Sequence, residues 1–87
     1  MTLKFVSDYI DQKLKQNSEY VVFTFYELRI KSNLSEDETD QFLALAKNKF
    51  ENMKYQVFFT GAQYEYNGYR RKVEDNELMI AIPEKNY

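Results

Sequence analysis

An α+β fold, in the order helix, strand, helix, helix, strand, strand, follows from three features of this 87-residue sequence. Thr24 is followed three residues later by Glu27, and Ser35 by Glu38. Each pair is a capping box, in which the hydroxyl takes a free amide of the first turn and the glutamate reaches back to the cap. Between them Asn33 tolerates the left-handed conformation that ends a helix and turns the chain. Beyond Asn52 the sequence becomes aromatic and β-branched around Asn67-Gly68, the strongest hairpin signal present. The length suits one domain over 1–87, with 84–87 as a frayed tail. Aromatic residues at 17% compensate for a thin core, because each buries a large area.

The first helix is expected over 2–16. Thr2 caps it, and Leu3, Val6, Ile10 and Leu14 recur at helical spacing, with Phe5 and Tyr9 widening the stripe. Asn17, Ser18 and Glu19 form the break. Tyr20–Phe23 reads as a short strand running into Thr24. The second helix follows from Phe25 to about Ser32 and buries Leu28 and Phe25; Ile30 is expected to be partly buried by the first helix or the sheet. The third starts after Ser35 and reaches about Asn52. At 100° per residue, Phe42, Leu43, Leu45, Ala46, Phe50 and Met53 fall within roughly 160°. Lys49 enters that apolar side near the C-terminus, where it can snorkel. Tyr55–Thr60 and Glu77–Ile82 are expected to pair as one long hairpin, with Gly61-Ala62 as a bend, Asn67-Gly68 at the far tip and Pro83 as the stop.

Composition narrows the chemistry. There is no cysteine and no histidine, so a thiolate metal site, a disulfide framework and the commonest general base are all missing. With two glycines there is no Gly-rich phosphate loop. Carboxylates alone form no recognisable catalytic constellation. A non-catalytic, cofactor-free, cytoplasmic protein without a membrane span or signal peptide is expected. The richness in Lys, Asn, Tyr and Phe suits an AT-rich bacterial or phage genome. The net charge of −2 is unevenly spread: residues 1–34 carry +1, 35–51 carry −3, 52–72 carry +3 and 73–87 carry −3. A basic zone therefore lies between two acidic ones.

The element order, with the corner from Thr24 to Met53 and the hairpin after it, resembles the winged helix-turn-helix domain over nearly the whole chain. Leu28, Leu34 and Phe42 stand where that motif wants apolar residues, and Asn33 where a turn glycine is common. Arg29 occupies a position usually small, and Ser32 one usually apolar. The resemblance implies a recognition helix presenting Gln41, Ala44, Lys47 and Asn48 to a major groove. It implies phosphate contacts from Lys54 and, on the wing, Arg70, Arg71 and Lys72. A double-stranded DNA partner, a homodimer, and a role as regulator or accessory factor of a phage or mobile element follow from it.

A protein-binding reading competes with this one. Glu36, Asp37, Glu38 and Asp40 place four carboxylates in the first turns of the same helix, where they would repel phosphates. On this alternative the acidic residues Glu36, Asp37 and Asp40 engage a basic host protein, as an inhibitor or adaptor would. The hairpin tyrosines Tyr64, Tyr66 and Tyr69 act as aromatic anchors.

Overall fold

The strand Glu77–Pro83 lies between two others and is covered on both faces, which makes it the centre of the molecule. The computed structural model describes residues 2–16 and 19–84. Its elements are α1 (Leu3–Gln16), β1 (Val21–Thr24), a short π-helix (Tyr26–Lys31), α2 (Glu36–Asn52), β2 (Tyr55–Phe59), β3 (Gln63–Tyr66), β4 (Tyr69–Lys72) and β5 (Glu77–Pro83). The expected third helix is thus α2. Among the described residues no helix is long and apolar enough to cross a membrane.

The antiparallel sheet β1–β5–β2 sorts its side chains by alternation. Val21, Phe23, Val57, Met79 and Ala81 face the helices. They pack with Val6 and Ile10 of α1, Leu28 of the π-helix, and Phe42, Ala46 and Phe50 of α2. Val22, Phe58, Ile80 and Ile82 face the other way and form a second apolar cluster with Val73, Tyr64 and Tyr66. The pairing of the 55–59 and 77–83 strands is as the sequence indicates, with Phe58 opposite Ile80.

What lies between those strands differs from one long hairpin. Gly61, at φ +86°, turns the chain, and Gly61 N and Val73 N donate across the base to Val73 O and Ala62 O at 2.9 Å each. The chain then forms a separate two-stranded sheet, β3–β4. Asn67 and Gly68 both have positive φ, 52° and 81°, as a two-residue primed turn requires. This hairpin lies against the outer face of its own sheet: Tyr64 meets Phe58 and Tyr66 meets Tyr20, with ring centres 5.5 and 5.3 Å apart. The molecule therefore has helices on one side of the sheet and the hairpin on the other, not a projecting arm.

The two capping boxes fare differently. At Ser35 both halves form: Glu38 N donates to Ser35 Oγ at 3.1 Å, and Ser35 N to the Glu38 carboxylate at 3.0 Å. The bond to Ser35 holds the fully exposed Glu38 carboxyl below its usual range. Ser35→Ala is expected to cost about 1 kcal/mol in chemical denaturation. At Thr24 only the hydroxyl half forms, from Glu27 N at 3.1 Å, because the Glu27 carboxylate is taken by α1. The second helix is also not α-helical. Ser32 N bonds Glu27 O five residues back, a π-type turn, and Leu34 N closes onto Leu28 O across left-handed Asn33.

Further differences lie at the ends. Glu84, expected to fray, donates its N–H to Lys54 O at 2.9 Å; residues 85–87 of the expected tail, and Asn17 and Ser18 of the expected break, lie outside the described residues. Thr2 does cap α1, accepting from Phe5 N at 3.2 Å.

Candidate functional site

The corner from Thr24 to Asp40 is built around one carboxylate. Glu27 accepts the Tyr9 hydroxyl at 2.7 Å and lies 2.9 Å from the Lys13 ammonium, tying α1 to the π-helix. Lys13 Nζ also lies 5.4 Å from the centre of the Phe23 ring. Leu28, on the inner side, is fully buried. Hydrogen bonds spaced i→i+5 place residues four and five apart on one face of this helix. Its outer face is therefore Phe25, Tyr26, Arg29 and Ile30. Phe25 is 44% exposed, Tyr26 65% and Ile30 59%. Burial of Phe25 and partial burial of Ile30 were both expected, and both side chains are instead exposed. Leu28 is the buried residue of this helix, and Phe25, Tyr26 and Ile30 are left exposed on its other side. Arg29 lies over Phe25, guanidinium carbon to ring centre 5.5 Å, so it covers one aromatic face without removing it from solvent.

Five residues after Lys31 α2 begins, and its first turns carry Glu36, Asp37 and Asp40, all exposed and in no ion pair among the described residues. Gln41, Ala44, Lys47 and Asn48 follow on the exposed side of the same helix. Lys47 lies 3.8 Å from Glu51, one turn on. The outer side of α2 thus carries the carboxylates of Glu36, Asp37, Asp40 and Glu51 against the single ammonium of Lys47. Lys49 turns inward and donates to Asp11 at 3.1 Å, as its place on the apolar stripe indicates.

Lys54 is exposed just beyond α2, at φ +66°. Arg70, Arg71 and Lys72 are exposed on β4 and form no ion pair among the described residues. Register divides them. Arg71 stands opposite Tyr64, and Tyr69 opposite Tyr66, so these four share the inner face of the hairpin; Arg70 and Lys72 occupy the outer face with Glu65 and Gln63. Tyr64 and Tyr66 pack on the sheet, and Tyr66 also donates to Glu19 at 3.2 Å, whereas Tyr69 is 68% exposed. Burial raises the Tyr64 and Tyr66 phenols above their ordinary values; Glu77 adds to this at Tyr64 and Glu19 at Tyr66.

The sheet therefore stands between the outer side of α2 and the basic hairpin, and the two residue sets are not brought together. What the corner does bring together is an apolar patch and an acidic helix start. Among the described residues no three acidic side chains are grouped as a metal ion would need. The chain matches no family model, no curated protein and no solved structure.

The missed residues are Phe25, Tyr26 and Ile30. The signal was partial: at 100° per residue Tyr26 and Ile30 fall on the side away from Leu28, whereas Phe25 shares the Leu28 side and is turned outward only by the π-helical spacing.

Proposed function

We propose that this protein is a non-catalytic binding module that docks a partner protein through its helical corner. The observation that carries this reading is the outward set Phe25, Tyr26 and Ile30 on a helix whose inner side is already filled by Leu28. Large apolar side chains grouped on a surface mark interaction sites, and aromatic anchors dominate interface energetics. The adjoining carboxylates of Glu36, Asp37 and Asp40 favour a partner with an apolar pocket rimmed by basic groups. The committed side of the corner supports this too: the Glu27 carboxylate holds the π-helix on α1, so the anchors are presented on a fixed backbone.

The test is affinity capture from bacterial lysate, identification of the captured protein, and reconstitution of the complex from purified components. Tyr26→Lys with Ile30→Lys is expected to weaken it tenfold or more, about 1.4 kcal/mol. Asp37→Lys with Asp40→Lys is expected to slow association and reduce its salt dependence. A complex indifferent to both pairs would sink the reading. Sedimentation of the protein alone separates a further case: self-association lost in Tyr26→Lys/Ile30→Lys would make the patch a homodimer face.

A second reading, a winged-helix domain bound to duplex DNA, is favoured by the strand order β1–β5–β2 behind a helical corner and by the cations of β4, which form no ion pair among the described residues. Fold alone does not assign function. Fluorescence anisotropy against a mixed duplex, at low and physiological salt, decides between them. The protein-docking reading expects no binding. Affinity that falls steeply with salt, and with Arg70→Ala/Arg71→Ala, would replace it with the DNA reading.

A further inference from the structure

The hairpin does not close tightly on the sheet. Between them runs a cleft of about 600 Å³, within the size range of small-molecule sites. Its floor is apolar, with Ile80 and Ile82 buried and Val22 beside them. Tyr20, Tyr64 and Tyr66 form its walls. Arg71 reaches it from the inner face of the hairpin, and Arg70 and Lys72 also border it. Glu74 and Glu77 line the hinge end. Register aims Arg71 alone into the cleft, with Arg70 and Lys72 at its border, and among the described residues none of the three forms an ion pair; Glu74 and Glu77 therefore face one inward guanidinium.

From this arrangement we infer that the cleft binds a nucleoside phosphate. The reading is independent of the docking corner, which lies on the other side of the sheet. Each part of such a ligand has a counterpart. Tyrosine rings offer stacking and edge contacts to a planar base. The Arg71 guanidinium suits a phosphate, which it can hold by two parallel N–H···O bonds. The carboxylates are acceptors only, so they select a base edge that presents donors. Guanine presents two adjacent N–H donors on one edge and can meet a carboxylate with both; uracil presents one donor flanked by acceptors, which carboxylates repel. Two residues separate Arg71 from Glu74, three steps and at most about 10 Å of extended chain, a span that a base joined to its sugar phosphate covers. A purely apolar ligand would leave the cations unpaired, and inorganic phosphate alone would leave the tyrosines and floor unused.

The experiment is calorimetric titration of the full chain with GMP, UMP and inorganic phosphate at low salt, with amide NMR shifts to locate the site. Saturable GMP binding is expected, with shifts at Tyr64, Tyr66 and Arg71, and at least tenfold weaker binding of UMP and of inorganic phosphate. Arg71→Ala, an exposed position whose loss leaves the core intact, is expected to weaken GMP at least tenfold. Tyr26→Lys/Ile30→Lys is expected to leave it unchanged, so failure of the docking reading and failure of this one are distinguishable. A short single-stranded oligonucleotide is the last arm. If it binds through Arg71 no better than GMP, the ligand is the free nucleotide; if it binds more tightly through Arg71, the nucleoside phosphate is one unit of a strand. No saturation into the millimolar range, equal affinity for GMP and UMP, or indifference to Arg71→Ala would overturn the assignment.

Discussion

Phe42→Ala is expected to remove about 3–5 kcal/mol of stability, the largest effect of any single change considered. The side chain is fully buried at the meeting point of α1, β1 and α2. Its ring centre lies 5.1 Å from that of Phe23, 5.4 Å from Tyr9 and 6.4 Å from Phe5, each approached nearly edge-on. Truncation therefore loses the transfer energy of the ring, leaves a cavity that three rigid aromatics cannot collapse into, and forfeits edge-to-face contacts of about 0.5–1.5 kcal/mol each. A domain of this size holds roughly 5–10 kcal/mol in all. A melting point lowered by about 15 °C or more follows, given about 4–8 °C per kcal/mol. Urea unfolding should show the midpoint falling with the slope unchanged. Phe59→Ala, 37% exposed at the end of β2, is the control, with a smaller cost of about 1–2 kcal/mol. A loss under about 1 kcal/mol for Phe42→Ala would mean that the three-way aromatic junction is not the centre of the core.

Much of the fold was legible because its signals are local. The Ser35–Glu38 box, left-handed Asn33 and the Asn67-Gly68 turn each follow from the chemistry of one or two residues. The apolar stripe of α2 is periodic, and Phe42, Ala46 and Phe50 are buried as the period requires; Thr39 joins them by returning its hydroxyl to Ser35 O at 2.7 Å. The misread parts depend on partners distant in sequence. Glu27 looks like a capping residue until Tyr9 and Lys13, eighteen and fourteen residues earlier, compete for it and win. The hairpin reads as one long continuation of the 55–60 and 77–82 strands because nothing local says what Tyr64 and Tyr66 touch. One clue did lie in the sequence: Leu78–Ile82 is a continuous apolar run, the mark of a strand covered on both faces. Helices supply one cover, and only the hairpin remained to supply the other. The candidate site was half legible. The acidic start of α2 is plain in the sequence, whereas exposure of Phe25, Tyr26 and Ile30 follows from which side of the short helix the core fills.

Glu27→Ala is expected to cost about 2–3 kcal/mol, somewhat less than breaking a fully buried ion pair, because the Lys13 and Glu27 side chains keep a quarter or less of their surface in water. The change leaves the Lys13 ammonium over an aromatic ring with no counter-charge and the Tyr9 hydroxyl with no acceptor. Tyr9→Phe removes a hydrogen bond to a charged group without stranding the cation, and should cost about 1–2 kcal/mol. The same cluster sets a pH dependence. Burial first, and then the bond and charge of the Glu27 carboxylate, push the Tyr9 phenol from 10.0 up to about 12. The folded state thus keeps this proton to higher pH than the unfolded chain does. Its contribution is fully present below pH 10 and is lost as pH rises through about 12. Discounted for the part of the ring that water reaches, the loss is about 1 kcal/mol. The stability difference between wild type and Tyr9→Phe should therefore shrink by that amount across this window, and a constant difference would separate Tyr9 from the alkaline transition. Hydrogen exchange connects the cluster to the docking surface. If Glu27 is what fixes the π-helix on α1, amides of residues 26–31 should exchange faster in Glu27→Ala, and partner affinity should fall although no anchor side chain has changed. Unaltered exchange there would mean that Leu28 alone holds the helix in place.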